Sequence, residues 1–343
     1  MITIPRYAII ITKLLVSLIS IKTRGKKSMK MKRFLSILLA LLLSLSILSG
    51  CAKQEAPPVV DDDASQTQVK DTTQVDAQEP LDPAAVILEH TTTYLNNIPE
   101  NSNMIPAKEA MERIEENPDA LFIVDMRAKE DYDKGHLPGA VNIPFAQMGK
   151  NLDRLPTNKQ IIMYCYSGQN SGLGVSTVKL LGFNVISFQG GMNFGWNTLE
   201  LGEDTLETTE NALPDAKTPD LSEEEQIVWD AVAKFFDEGK TYMEAAADVS
   251  EILEENPDAV FVVDLRSGED FAKGHIEGAT NIAFKEVGKN LDKIPKNRPV
   301  YLACYSGQTA AQIMTMLRLN GYNASIITRG MAGWAGAELP VVE

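Results

Sequence analysis

The chain contains one unit written twice. Asn117-Pro118-Asp119-Ala120 returns as Asn256-Pro257-Asp258-Ala259, Asp125-Met126-Arg127 as Asp264-Leu265-Arg266, and Gly135-His136 as Gly274-His275. Gly149-Lys150-Asn151-Leu152-Asp153 returns as Gly288-Lys289-Asn290-Leu291-Asp292, and Cys165-Tyr166-Ser167-Gly168-Gln169 as Cys304-Tyr305-Ser306-Gly307-Gln308. Asp125 and Asp264, His136 and His275, and Cys165 and Cys304 are each 139 positions apart. A gapless register over such a span means two copies of one fold. Two copies are too few for a solenoid, and each is long enough to be a domain with its own core.

Within each copy, short buried runs alternate with helical patterns. Ala107 to Glu116 places Ala110, Met111 and Ile114 on one helical face. Leu121 to Val124 and Val260 to Val263 read as buried strands, as do Gln160 to Tyr164 and Val300 to Ala303, which end at the cysteines. Ser171 to Leu181 and Ala310 to Leu319 read as helices closed by Gly182 and Gly321. Asn184 to Phe188 and Asn323 to Thr328 are strands again, and Ala84 to Leu95 and Glu223 to Phe236 are leading helices. Strands alternating with helices predict an α/β fold, each copy a mainly parallel sheet flanked by helices. The polar stretch 202–220, with Pro214 and Pro219, separates a first domain at 84–201 from a second at 221–343.

The region before the repeats has a different character. Lys30, Lys32 and Arg33 precede an apolar run from Phe34 to Leu48, followed by Ser49-Gly50-Cys51. A basic start, a short apolar run and small residues make a secretory signal. The run is about 15 residues, below the ~20 that span a bilayer. Leu48-Ser49-Gly50-Cys51 resembles the lipobox of bacterial lipoproteins, which implies cleavage before Cys51, its lipidation, and a protein anchored to the outer face of the cytoplasmic membrane, or on the periplasmic side if there are two membranes. Residues 1–28 read as an over-long start, with Met29 or Met31 as the natural first residue; a genuine extra membrane segment is the alternative. From 51 to 83 the lipidated cysteine leads into a Pro-, Asp-, Gln- and Thr-rich tether, which reaches on the order of 30 Å as coil.

The net charge of −15 disfavours a nucleic-acid partner, because phosphates would be repelled. Three cysteines and three histidines give neither a disulfide framework nor a metal-ligand spacing. Cys165 and Cys304 are therefore the candidate catalytic residues, each between a buried strand and a helix, where open α/β sheets bind ligands. Gly168 and Gly307 let the following loop curl so that main-chain N–H groups point inward. Such a cradle at a helix N-terminus stabilises a thiolate and lowers its pKa from about 8.5. The loop residues Tyr166, Ser167, Gly168, Gln169 and Asn170, and Tyr305, Ser306, Gly307, Gln308 and Thr309, are the candidate substrate-binding set.

The motif order in each copy resembles the rhodanese family. It runs Asp125/Arg127, Gly135 to Ile143, Cys165 to Gly168 and Gly190-Gly191 to Trp196, then Asp264/Arg266, Gly274 to Ile282, Cys304 to Gly307 and Gly330 to Trp334. The resemblance implies a sulfurtransferase. The thiolate attacks a sulfane sulfur donor (thiosulfate, a persulfide or polysulfide), forms a cysteine persulfide, and yields the outer sulfur to a thiophilic acceptor. No metal or organic cofactor is implied. The partners expected are a small sulfur compound, a thiol acceptor and, through Cys51, the membrane.

Asn170 and Thr309 stand where many single-domain relatives carry a loop arginine, so an anionic donor lacks its cation in the loop. Thr309 matches the loop of two-domain sulfurtransferases, which makes Cys304 the stronger candidate of the two. Arg329 is a candidate cation for the second site, although a surface arginine is the default reading. A non-catalytic module that binds sulfur species or a partner protein remains the alternative. The phosphatase or arsenate-reductase branch needs an arginine closing the loop; Ser171 and Ala310 stand six residues past the cysteines instead. Asp125, Arg127, Asp264 and Arg266 read as ion pairs bracing loops. His136 and His275 read as structural, and Trp196 and Trp334 as packing residues.

Overall fold

The computed structural model describes residues 80–343. The signal region 1–50, Cys51 and all but the last few residues of the tether lie outside the described residues.

The first copy starts with helix α1 (Pro83–Asn96), capped by the Asp82 carboxylate. It continues through β1 (Met104–Ile105), α2 (Ala107–Glu116), β2 (Leu121–Asp125), α3 (Lys129–Tyr132), β3 (Ala140–Asn142), a 3₁₀ segment Phe145–Arg154, β4 (Gln160–Tyr164), α4 (Gln169–Leu180) and β5 (Val185–Phe188). The second copy repeats this as α5 (Glu223–Asp237), β6 (Met243–Glu244), α6 (Ala246–Glu255), β7 (Phe261–Asp264), α7 (Gly268–Ala272), β8 (Thr280–Asn281), a 3₁₀ segment Phe284–Lys293, β9 (Val300–Ala303), α8 (Gln308–Leu319), β10 (Ala324–Ile327) and α9 (Gly330–Gly336).

Each copy is a five-stranded, wholly parallel sheet, ordered β1-β5-β4-β2-β3 and β6-β10-β9-β7-β8. The central strands β4 and β9 are covered on both faces, which is why they read as unbroken apolar runs. The α/β architecture expected from the repeat is therefore present in both copies. Helices α4 and α8 start two residues earlier than the sequence pattern placed them, because Gly168 and Gly307, at φ 87° and 89°, act as left-handed N-caps.

One face of each sheet packs on its own α2 or α6 and forms a small separate core. The other faces share a single apolar cluster that runs through both copies, from Val86 and Phe145 to Val287 and Ile326. The leading helices are exchanged. Helix α1 lies on the second copy, where Tyr94 donates to Gln312 Oε1 at 2.7 Å and Thr91 Oγ1 accepts from Asn320 at 2.6 Å. Helix α5 lies on the 3₁₀ segment of the first copy, with Phe236 edge-on to Phe145 at 5.5 Å. Each large apolar side chain so buried contributes about 1.5–3 kcal/mol. Division of the chain at 202–220 thus follows chain order, while packing gives each copy the other's leading helix. The described residues 80–343 form one compact unit. Among the described residues no helix is long and apolar enough to cross a membrane.

Candidate active site

Cys165 and Cys304 directly follow β4 and β9, at the carboxyl ends of the central strands, and both are 2% exposed. Each cysteine and the three residues after it lead into a helix. Their carbonyls are tied outward: Met192 and Asn193 N–H donate to the Cys165 and Tyr166 carbonyls, and Met331 and Ala332 N–H to those of Cys304 and Tyr305. Neither α4 nor α8 has a side-chain cap, so first-turn N–H groups remain open to a ligand. In the second copy they meet the sulfur: Gly307 N–H donates to Cys304 Sγ at 3.1 Å and Ala310 N–H at 3.4 Å. In the first copy the partner differs, because Cys165 Sγ lies 3.8 Å from the Ser171 hydroxyl.

The residue after each cysteine moors the loop. Tyr166 and Tyr305 keep partly exposed rings while their hydroxyls donate to Asp131 and Asp270, both at 2.5 Å. Lys134 and then the Tyr166 hydroxyl hold the Asp131 carboxyl below its ordinary range. Asp270 is held well below it by Lys273, Tyr305 and Ser267. Burial, then the bond to Asp131, raises the Tyr166 phenol. Ser167 Oγ lies 3.3 Å from Gln169 Oε1. Ser306 is exposed and lines a cleft of about 320 Å³ together with Gly190 and Phe194 of the first copy. Asn170 and Thr309 stand half-buried in the first helical turns.

Gln169 and Gln308 are placed differently from the rest of the candidate set. Both are buried in the contact between the copies, at 3% and 1% exposure. A Cβ on Gly168 would sit 2.5 Å from Gln308 Oε1, and one on Gly307 would sit 2.6 Å from Gln169 Nε2. Only glycine suits these positions, for its left-handed backbone and for the crossing glutamine. The two cysteine loops are therefore back to back, each pressed by a side chain of the other.

The expected brace is present in duplicate. Arg127 donates to both Asp125 oxygens at 2.6–3.0 Å and to Gly135 O at 2.7 Å, and Arg266 repeats this with Asp264 and Gly274. Burial works against the Arg127 charge, but the bonds and charge of Asp125 outweigh it and raise its pKa. His136 and His275 bond the carbonyls of Tyr132 and Phe271 and stack on those rings at 3.7 Å, away from the sulfurs. Trp196 and Trp334 are buried against the small cores. Arg329, at φ 61°, occupies the position of Gly190 and lies over the Phe194 ring at 4.8 Å.

Two parts of the site escaped the sequence reading. Ser187 and Ser171 form a buried hydroxyl pair beside Cys165, at 2.8 Å, and Gln308 joins it from the other copy. Alignment of the copies carries the signal, since Ser171 and Ser187 match Ala310 and Ile326 at the 139-residue offset. Polar residues where the twin is apolar, on a buried strand and helix, call for a partner.

The described chain is thus a doubled parallel α/β sheet with a cysteine at the tip of each central strand. The profile of the Rhodanese-like domain family matches residues 106–197 and 245–337, more than half of the chain, and the chain belongs to that family. It is 35% identical over 98 residues to the putative sulfur carrier protein YrkF of Bacillus subtilis, a match covering 29% of this chain and 50% of that one. It is 32% identical over 84 residues to a sulfurtransferase of Allochromatium vinosum, covering 24% of this chain and 78% of that one. Among solved structures, the thiosulfate sulfurtransferase of Pseudomonas aeruginosa aligns over 76% of this chain and 42% of its own, with 17% identity and a TM-score of 0.28. The chain thus spans only half the length of the Bacillus relative.

Proposed function

We propose that the protein is a sulfurtransferase that moves sulfane sulfur from a donor to a thiophilic acceptor through a cysteine persulfide. The observation that carries this reading is the Cys304 sulfur, which accepts two main-chain N–H bonds at the uncapped start of α8. Charge-assisted bonds of this kind favour the anion over the neutral thiol. The thiolate attacks the sulfane sulfur of thiosulfate, a persulfide or a polysulfide. One S–S bond forms as another breaks, and sulfite or a thiolate leaves with the electron pair. The acceptor, a thiol or cyanide, then attacks the outer sulfur and returns the cysteine thiolate. The Allochromatium relative that bears the name sulfurtransferase supports the same chemistry. Leu48-Ser49-Gly50-Cys51 supports export and a lipid anchor on the outer face of the cytoplasmic membrane.

Steady-state transfer to cyanide, with thiosulfate and separately with polysulfide as donor, tests this reading. Cys304→Ser is expected to lose the larger part of the thiocyanate formed, Cys165→Ser the smaller part, and the double variant all of it above background. Unchanged turnover in the double variant contradicts the reading. Complete inactivity of the reduced wild type with both donors leaves the non-catalytic binding module in its place.

A further inference from the structure

Gln308 belongs to the second copy by its backbone and to the first by its side chain. It follows Gly307, whose N–H serves Cys304, and its amide enters the end of β5. Gly190 N–H donates to Gln308 Oε1 at 3.0 Å, while Nε2 donates to Phe188 O at 3.1 Å and Ser187 Oγ at 2.7 Å. A main-chain N–H can only donate and a carbonyl only accept, so the orientation of the amide is fixed at both ends. Ser187 Oγ, accepting a hydrogen bond from Gln308, donates its own to Ser171 Oγ at 2.8 Å. Ser171 then has one proton and two acceptors within reach: Gly168 O at 3.0 Å and Cys165 Sγ at 3.8 Å. While Cys165 is a thiol, its S–H can point at Ser171. Once the sulfur is anionic it is the stronger acceptor, and rotation of one hydroxyl serves it.

The second copy has no such relay. Ala310 and Ile326 replace the two serines, and the Nε2 of Gln169, the counterpart of Gln308, is buried without a hydrogen-bond partner. Cys304 relies on main-chain amides, Cys165 on a hydroxyl whose direction is set from outside its own copy.

We propose that Gln308 is a positioning residue for Cys165: it fixes the polarity of the Ser187–Ser171 pair so that Ser171 donates to the anionic Cys165 sulfur, and the second copy thereby completes the first site. This rests on the reading of Cys165 as a reactive thiol.

The test is the pH dependence of iodoacetamide alkylation in the full chain, read at Cys165 by peptide mapping, which separates it from Cys51 and Cys304. Gln308→Met, Ser187→Ala and Ser171→Ala are each expected to move the Cys165 profile to higher pH by about half a unit or more, roughly threefold slower alkylation at a fixed pH below the midpoint. Ser187→Thr keeps the hydroxyl and is expected to keep the wild-type profile. Gln308→Met combined with Ser171→Ala is expected to shift it no further than either alone. Ser171→Ala installs the residue that the second copy carries at this position. Unmoved profiles in Ser171→Ala and Ser187→Ala overturn the proposal, as do additive shifts in the double variant. A wild-type Cys165 inert to alkylation at every pH overturns it too. Normal alkylation without uptake of sulfur from any donor sinks the sulfurtransferase reading and leaves this proposal standing.

Discussion

The phenol next to each cysteine shows how one side chain holds the cysteine loop in place. Tyr305 donates to Asp270, which also accepts from Lys273 and Ser267, and these three keep its carboxyl well below the ordinary value of about 3.9. A carboxyl with a folded pKa below its unfolded one stabilises the fold fully above the unfolded value. That contribution fades as pH falls through the folded value. The Asp270 brace should therefore survive mild acid and fail only in strong acid. In Tyr305→Phe the second of the three causes is gone, so Asp270 is expected to titrate at a higher pH and the loop to loosen earlier on acidification. A carboxyl-carbon NMR titration measures this directly; an Asp270 midpoint unmoved by Tyr305→Phe would show that the phenol does not moor the loop. The candidate role given to Tyr305 from sequence was contact with substrate. A one-dimensional pattern cannot reveal the tie to Asp270, because that residue lies 35 positions away.

At the scale of elements, the contact between α4 and α8 decides how close the two sites lie. A Cβ on Gly172 would sit 2.5 Å from Gln308 O and 3.1 Å from Ala311 Cβ. Gly172→Val must therefore push the helices apart, at an expected cost of about 1–3 kcal/mol in urea denaturation. Gly336→Ala, where an added methyl meets open space, should change stability by less than about 1 kcal/mol. Equal stabilities for the two variants would contradict the close packing. The strands β4 and β9 and the helix α2 were legible to the residue, since a buried run or a helical stripe is local information. The starts of α4 and α8 were not, because a left-handed glycine cap leaves no Ser, Thr, Asp or Asn signature. Nor were the partners of α1 and α5 legible. An amphipathic face says that something covers it, and Phe236 or Tyr94 alone does not say which copy.

Across the whole molecule, duplication has produced one shared core and two unlike cysteine environments. The repeat offset gave the fold twice over, and Cys165 and Cys304 stood out because each ends a buried strand before a glycine turn. What the offset concealed is the difference between the sites: amides at Cys304, a serine pair at Cys165, and Gln308 between them. The central claim is that both thiols carry sulfur. Its most direct measurement is peptide mapping by mass spectrometry of the reduced full chain after exposure to polysulfide or thiosulfate and removal of excess donor. The expected result is the mass of one added sulfur atom on the Cys165 peptide and on the Cys304 peptide, discharged from both by cyanide. Absence of that mass from either peptide, with its thiol still open to alkylation, would contradict it.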